Sequence, residues 1–253
     1  MQKKKKIETK VRLNKYIASS GLVSRRDADN LIEVGRVRVN DTVVKELGTL
    51  VSSKDRVYVN NKLIKPEKHT YIRYYKPAGY ITSMDDEKGR KTIYDILPEE
   101  VKTLKPIGRL DKDSTGLLIL TNDGDLINEL THPSTKIPKV YRVKAQGKLK
   151  LNDLETMAKG IEIEKGQIAY AESRIVEFED KDTVLEVILY QGLNRQIRKM
   201  LDFLGHPVIS LKRVSHGPID ISGLKKGQFK YLREKQIQDL KRYIAKLKKS
   251  CAG

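Results

Sequence analysis

The chain has 253 residues, with 51 Lys and Arg against 33 Asp and Glu, a formal net charge of +18 and a pI near 9.7. That length suits one large domain or, better, a small domain joined to a medium one, and a field of that sign attracts polyanions or anionic lipid surfaces. A single cysteine, Cys251, excludes a disulfide scaffold or a cysteine-based zinc cluster, the four histidines show no metal-ligand spacing, and no run approaches the ~20 apolar residues of a membrane span.

The opening decapeptide MQKKKKIETK has no apolar stretch that could act as a secretory signal, so the expected location is the cytoplasm. Lys3 to Lys6 read as a disordered tail that adds salt-sensitive, sequence-blind attraction to a polyanion. Residues 1–68 carry 17 Lys and Arg against 8 Asp and Glu, a net of +9, which is half of the whole excess. Leu13, Tyr16 and Ile17 then recur at helical spacing, leave Arg12 and Lys15 facing out, and stop at Gly21. Ser24 stands three residues before Asp27 as a capping box wants, and Ala28, Leu31 and Ile32 supply the buried face of a second helix that ends at Gly35. Arg36–Asn40 and Arg56–Asn60 alternate polar and apolar as short strands do, with turns at Asn40-Asp41 and Asn60-Asn61.

On this reading Arg25, Arg26, Arg36 and Arg38 cluster where the second helix meets the first strand, a surface suited to the phosphates of an RNA backbone, although a solvated basic face would show the same charges. The segment RLNKYIASSGLVSRRDADNLIEVGRVRVN closely resembles the small αL RNA-binding domain found in a small-subunit ribosomal protein, in bacterial tyrosyl-tRNA synthetases and at the front of many ribosomal-RNA pseudouridine synthases. The resemblance covers roughly residues 10 to 65 and implies RNA binding, not chemistry, because the module serves proteins of several activities. A proline and charges at Lys65-Pro66-Glu67-Lys68 mark the linker, which divides the chain into residues 1–68 and 69–253.

Tyr71 to Thr82 reads as a strand entering a Pro-Gly turn through Lys76-Pro77-Ala78-Gly79. Next, Gly108-Arg109-Leu110-Asp111-Lys112-Asp113-Ser114-Thr115-Gly116 places Asp111 in a glycine-bounded loop just before the apolar run Leu117 to Leu120, a fully buried strand. Thr121 to Gly124 is a tight turn, Asp125 to Leu130 a short helix, and Lys139 to Val143 a strand of period two. Leu185 to Tyr190 is a strand running into a glycine turn; Asn194 is placed to cap the following helix, whose apolar face is Ile197, Met200, Leu201 and Leu204. Arg195, Arg198 and Lys199 crowd the start of that helix, where the macrodipole disfavours cations, which suggests something anionic nearby, although a solvated basic face accounts for them equally well. Glu234 to Lys249 reads as an amphipathic docking helix on Ile237, Leu240, Ile244 and Leu247.

Asp111 alone has a plain account as a turn aspartate, since Asp bonds its own backbone in loops. The string GRLDKDSTGLLILTNDG, however, resembles the catalytic loop of the pseudouridine synthases, in the branch that modifies ribosomal RNA, and the Lys-Pro-x-Gly element and GLNRQIRKM resemble two further elements of that family. The resemblance implies an α+β fold: the αL module followed by a mixed α/β catalytic domain built on a largely antiparallel sheet. It implies that Asp111 is the catalytic aspartate, acting by attack at C1′ or at C6 of uridine or by removal of a ribose proton. It further implies that Arg198 pairs with Asp111 and that Tyr141 lies against the target base, with removal of the C5 proton also open to it. A guanidinium within reach would offset the cost of burying the carboxylate.

No metal, nucleotide or redox cofactor is required by that chemistry. Arg12, Lys15, Arg25, Arg26, Arg36 and Arg38 in the front module, with Arg109, Arg195 and Lys199 in the body, are the candidate RNA contacts. The GLNRQIRKM form and His132-Pro133-Ser134 resemble the large-subunit enzymes more than the small-subunit one, which implies large-subunit (23S) rRNA as substrate with small-subunit rRNA the alternative. Because a loop uridine costs less to flip out than one in a continuous duplex, a structured stem-loop is the expected target, and the family expectation is a monomer. A non-catalytic ribosome-binding or assembly factor is the competing class. An RNA N-glycosidase is a third, for which Asp113 would have to supply a second carboxyl in the same pocket.

Overall fold

The computed structural model describes residues 10–84 and 86–250, so the Lys3 to Lys6 run and Cys251 lie outside the described residues. The chain forms two compact units, one running through His69 with Asn122–Gly124 added, the other holding Thr70–Thr121 and the chain from Asp125.

In the first unit a short strand β1 (Val11–Arg12) leads into α1 (Leu13–Ser19), and α2 (Arg25–Glu33) follows. Arg12 lies in extended backbone at the N-cap rather than inside the first helix. Ser24 caps α2 as its spacing predicts: its Oγ accepts from Asp27 N at 3.2 Å while the Asp27 carboxylate accepts from Ser24 N at 3.3 Å. Then come β2 (Val37–Val39), β3 (Thr42–Val44), β4 (Leu50–Val51), β5 (Val57–Val59) and β6 (Lys62–Ile64). Four of these form an antiparallel sheet in the order β3-β2-β5-β6, and β4 pairs with β1. Asn60 and Asn61 both adopt positive φ, 48° and 63°, the backbone that a tight hairpin between β5 and β6 demands and that Asn tolerates. The core is Leu13, Tyr16 and Ile17 of α1 and Ala28 and Ile32 of α2 against Val37, Val57 and Val59. Each fully buried Leu or Ile there is worth about 1.5–3 kcal/mol of transfer free energy.

The second unit is built on a nine-stranded sheet. Its strands are β7 (Tyr71–Lys76), β8 (Lys105–Ile107), β9 (Thr115–Thr121), β10 (Lys139–Ala145), β13 (Glu172–Glu179), β14 (Asp182–Leu189), β15 (Val208–His216), β16 (Ile219–Asp220) and β17 (Phe229–Tyr231). The order is β13-β14-β10-β15-β9-β7-β17, with β16 on β15 and β8 on β9. All pairings are antiparallel except β15 with β9. Between the strands lie α3 (Gly124–Thr131), α4 (Leu151–Lys159), a separate hairpin of β11 (Ile161–Glu164) and β12 (Gln167–Ala169), α5 (Gln196–Phe203) and the closing helix α6 (Glu234–Ser250).

Both faces of β9 are covered, one by α3 and α6 and the other by the segment 93–104, which explains its unbroken apolar run. Leu117 and Ile119 belong to the cluster completed by Leu126 and Leu130 of α3 and Leu240 and Ile244 of α6, whereas Leu118 and Leu120 pack with Ile72, Tyr74, Ile93 and Leu104. A third cluster joins Tyr141, Val143, Leu185 and Val187 to Ile197, Met200 and Leu201 of α5 and Met157 of α4. Leu110, next to Asp111, is part of that third cluster, so the loop between β8 and β9 is anchored in the core that α5 closes. Among the described residues no helix is long and apolar enough to cross a membrane.

Candidate active site

The site starts from two glycines. Gly108 turns the chain out of β8 with φ at 72°, and Gly116 returns it to β9 with φ at 110°. A Cβ on Gly116 would stand 2.2 Å from the carbonyl oxygen of Arg213 and 2.6 Å from its nitrogen, so only glycine lets β15 approach here. Between them residues 109–114 are held by side chains from β7 and the loop after it. Lys76, fully buried, directs Nζ at four carbonyl oxygens, those of Ser114 at 2.8 Å, Asp111 at 3.0 Å, Pro77 at 3.1 Å and Lys112 at 3.4 Å. Burial pushes its pKa down to about 8, with the charges of Asp111 and Asp113 opposing. Four acceptors suit the ammonium, which has three N–H donors; the neutral amine would leave carbonyls unpaired. Thr82 makes the second clamp: Oγ1 donates to Leu110 O at 2.9 Å and accepts from Leu110 N at 3.2 Å.

The clamped loop presents Asp111, half-buried, at a cavity of about 280 Å³ lined by Ile81, Thr82, Ser83, Arg90, Arg109, Leu110, Asp111, Lys112 and Arg195. One carboxylate thus faces four cations. The exposed Asp113 is absent from that lining, which removes the second carboxyl that a hydrolytic glycosidase would need. Arg90 lies on the rim and is forked against Asp86, with Nη2 at 2.6 Å and Nε at 3.1 Å from Oδ1.

The start of α5 departs from the predicted arrangement in two ways. Asn194 does not cap the helix: the N-cap is Arg195, in left-handed backbone at φ 50° with no side-chain cap, and Asn194 Oδ1 instead accepts from Lys199 Nζ at 3.4 Å. A non-glycine residue held at positive φ stores strain, and here it aims the side chain at the cavity. Arg195 Nη1 lies 3.9 Å from Asp111 Oδ2. Among the described residues this is the ion pair that Asp111 makes; the pairing of Asp111 with Arg198 implied by resemblance is not formed. Arg198 is buried, its Nη1 donates to Val208 O at a long 3.5 Å, and its Nε has no hydrogen-bond partner. Lys199 is tied to Glu164 of β11 through a short ion pair, so its charge is already matched within the protein.

Tyr141 is buried on β10, paired with Val187 on one side and Arg213 on the other. A bulge at Val140/Tyr141 in the β10–β15 ladder alters the register at this point. Arg213, Lys139 and His216 belong to the same region, and none of the three carried a signal in the sequence. Burial foremost, then the Arg213 charge, pushes Lys139 down to about 8 and His216 well below its ordinary range.

In the first unit Arg12, Arg25, Arg26 and Arg36 are exposed, while Lys15 and Arg38 are half-buried. The expected cluster is spread out: Arg25 and Arg26 open α2 whereas Arg36 and Arg38 follow it, so about 12 Å of helix at 1.5 Å per residue separates the two pairs. Arg38 lies 4.2 Å over the ring of Tyr58, its partner across the β2–β5 ladder, and 3.7 Å from Asp41.

Comparison with known proteins decides the family. Residues 70–203 match the RNA pseudouridylate synthase family and residues 11–57 match the S4 domain. The chain belongs to the RNA pseudouridylate synthase family. The synthase is 40% identical over 232 residues to an uncharacterized RNA pseudouridine synthase of Aquifex aeolicus (strain VF5), covering 91% of this chain and 93% of that one. It is 38% identical to ribosomal large subunit pseudouridine synthase B of Bacillus subtilis (strain 168), covering 91% and 95%. Among solved structures it is similar to a crystal structure of a pseudouridylate synthase, with a TM-score of 0.65 at 28% identity, covering 91% of this chain and 99% of the other. The synthase is therefore an enzyme, an RNA pseudouridine synthase that carries an S4 domain at its front.

The clamp made by Lys76 and Thr82 has no counterpart among the expectations from sequence. A signal was there for Lys76: it follows Ile72 and Tyr74 on one face of the strand, immediately before a proline, and a cation on that otherwise apolar and aromatic face needs acceptors supplied by a neighbouring loop.

Proposed function

We propose that the protein isomerises uridine to pseudouridine in large-subunit ribosomal RNA, with Asp111 as the group that attacks the nucleoside. The observation that carries this is the clamped loop: Lys76 and Thr82 hold its main chain, and its single, half-buried carboxylate, Asp111, faces a cavity whose other charged walls are Arg90, Arg109, Lys112 and Arg195. Such a cavity attracts the phosphates on either side of a nucleotide while offering its sugar one nucleophile. Tyr141 supplies the face on which the extruded base stacks. Arg195 holds Asp111 in the free enzyme, and Arg198 lies buried one turn further along α5.

The large subunit as substrate is supported by the likeness, along nine-tenths of the chain, to a Bacillus subtilis protein named for that activity. The basic front module and Arg109 at the cavity add sequence-blind attraction to RNA, and the reaction takes place in the cytoplasm on naked or partly assembled RNA, before the subunit closes over the target. To test this, purified protein is incubated separately with large-subunit rRNA, small-subunit rRNA and bulk tRNA from a strain lacking the gene, and new pseudouridines are mapped. Modification of a uridine in a large-subunit stem-loop is expected; modification confined to tRNA or to small-subunit rRNA overturns the substrate assignment.

A further inference from the structure

Five strands of the main sheet meet along one transverse line. Lys76 of β7 pairs with Gly116 of β9, Gly116 with Arg213 of β15, Arg213 with Tyr141 of β10, and Tyr141 with Val187 of β14. Residues directly opposite each other on neighbouring strands share a face, and in antiparallel pairs such as Arg213 and Tyr141 their Cβ atoms lie about 5 Å apart. Arg213 therefore stands beside Tyr141 on the face that carries the catalytic-loop clamp, and the glycine between Arg213 and Lys76 leaves that line without a side chain.

Arg213 is only 2% exposed. Its Nε donates to Leu117 O at 2.7 Å, while Nη2 is buried with no hydrogen-bond partner. Among the described residues no carboxylate forms an ion pair with it. The titratable groups that feel its charge, Lys76, Lys139 and His216, are all basic, so none neutralises it. A guanidinium does not give up its proton, and a buried charge without a counter-charge weakens the fold. A charge kept at such cost, next to the residue on which the base stacks, has a use in the reaction.

We infer that Arg213 provides the positive charge that stabilises the pyrimidine ring as it becomes anionic during isomerisation. The inference rests on the proposed roles of Asp111 and Tyr141. If a carboxylate oxygen of Asp111 bonds to C1′, the C1′–N1 bond breaks and its electron pair stays on the ring, spread over N1, O2 and O4. C5 later bonds to C1′ as the carboxylate leaves, the C5 proton passes to a base and N1 takes up a proton. Removal of a ribose proton by Asp111 expels the same anion, and addition of the carboxylate at C6 moves an electron pair toward O4. All three routes pass through negative charge on the ring, and none leaves it on the sugar. A fixed cation in a water-poor site meets that charge without reorganising.

The test compares wild type, Arg213→Met and Asp111→Asn on a target stem-loop containing either uridine or 5-fluorouridine, under single turnover, with thermal unfolding of each protein alongside. Fluorine withdraws electrons and stabilises the ring anion by itself. Arg213→Met is expected to fold with a melting temperature equal to or above wild type, to bind the RNA with unchanged Kd and to consume uridine about 100-fold more slowly, the scale of losing one charge-stabilising donor. On 5-fluorouridine its deficit should shrink below tenfold. An equal deficit on both substrates, or a clear loss of melting temperature, overturns the role of Arg213 and leaves Asp111 in place. Full activity of Asp111→Asn instead overturns the proposed function itself.

Discussion

Lys76 Nζ donates to the main-chain carbonyl of Asp111 at 3.0 Å from a position that solvent does not reach. A cation thus touches the backbone of the loop that carries Asp111 and not its carboxylate. The lysine sets where Asp111 stands, and the carboxylate remains available to the cavity.

Replacing Lys76 by Met should lower kcat by about 100-fold with little change in RNA affinity, because an ångström of misplacement of a reacting group costs that much. The pH dependence has a definite sign. A lysine lowered from 10.5 to about 8 on folding binds fewer protons in the native than in the unfolded state between those values. The destabilisation it causes is therefore present below pH 8 and relieved as pH rises toward 10.5. Subtracting the Lys76→Met unfolding free energy from that of wild type across pH 7 to 10 isolates this group, and the difference should rise in favour of wild type. A flat difference would mean that Lys76 is not buried as an ammonium.

Asp111→Asn keeps the shape of the side chain and removes its charge. Isomerisation, followed by tritium release from C5 of labelled rRNA transcripts, should fall below a few per cent of wild type while RNA binding stays nearly intact. Retention of a larger rate would remove Asp111 from the chemistry.

The two arginines of α5 can be separated by parallel substitutions. Arg195 pairs with Asp111 at 3.9 Å with 44% of its side chain exposed, and exposed pairs contribute about 0.2–1 kcal/mol, so Arg195→Lys should cost at most about fivefold in kcat. Arg198 is buried, and its planar fork reaches Val208 O; a lysine point charge cannot reproduce that geometry, so Arg198→Lys should cost at least tenfold. The reverse order in kcat measurements would assign the main positioning role to Arg195.

Arg25 and Arg26 are exposed at the start of α2. If both meet phosphates, Arg25→Ala/Arg26→Ala should reduce the slope of log K against log salt by about 0.7–0.9 per lost contact while leaving kcat on a short stem-loop unchanged. Binding titrations from 50 to 300 mM salt with an unchanged slope would show that this end of α2 does not hold RNA.

The local elements of this protein are largely written in its sequence. The capping box of Ser24 and Asp27, the unbroken run Leu117 to Leu120, the helical face of Ile197, Met200 and Leu201 and the closing helix all depend on periodicity and on backbone chemistry within a few residues. The glycine-bounded loop around Asp111 and the family it belongs to are likewise local, since they reside in contiguous strings. The strands from Ile161 to Glu179 are not legible in the sequence because β11 and β12 are only four and three residues long and β13 is mostly exposed, so that their pairing partners decide them. What only the tertiary structure decided is which cation meets which group. Arg195 and not Arg198 stands at Asp111 because a left-handed residue, with no sequence mark, opens α5. Lys199 spends its charge on Glu164, 35 positions earlier. Lys76 and Arg213 acquire their surroundings from strand pairings that join β7, β9, β15 and β10, elements as much as 137 residues apart. Coulomb and hydrogen-bond energies depend on distances of a few ångströms, and those distances are products of sheet register, which no short stretch of sequence contains.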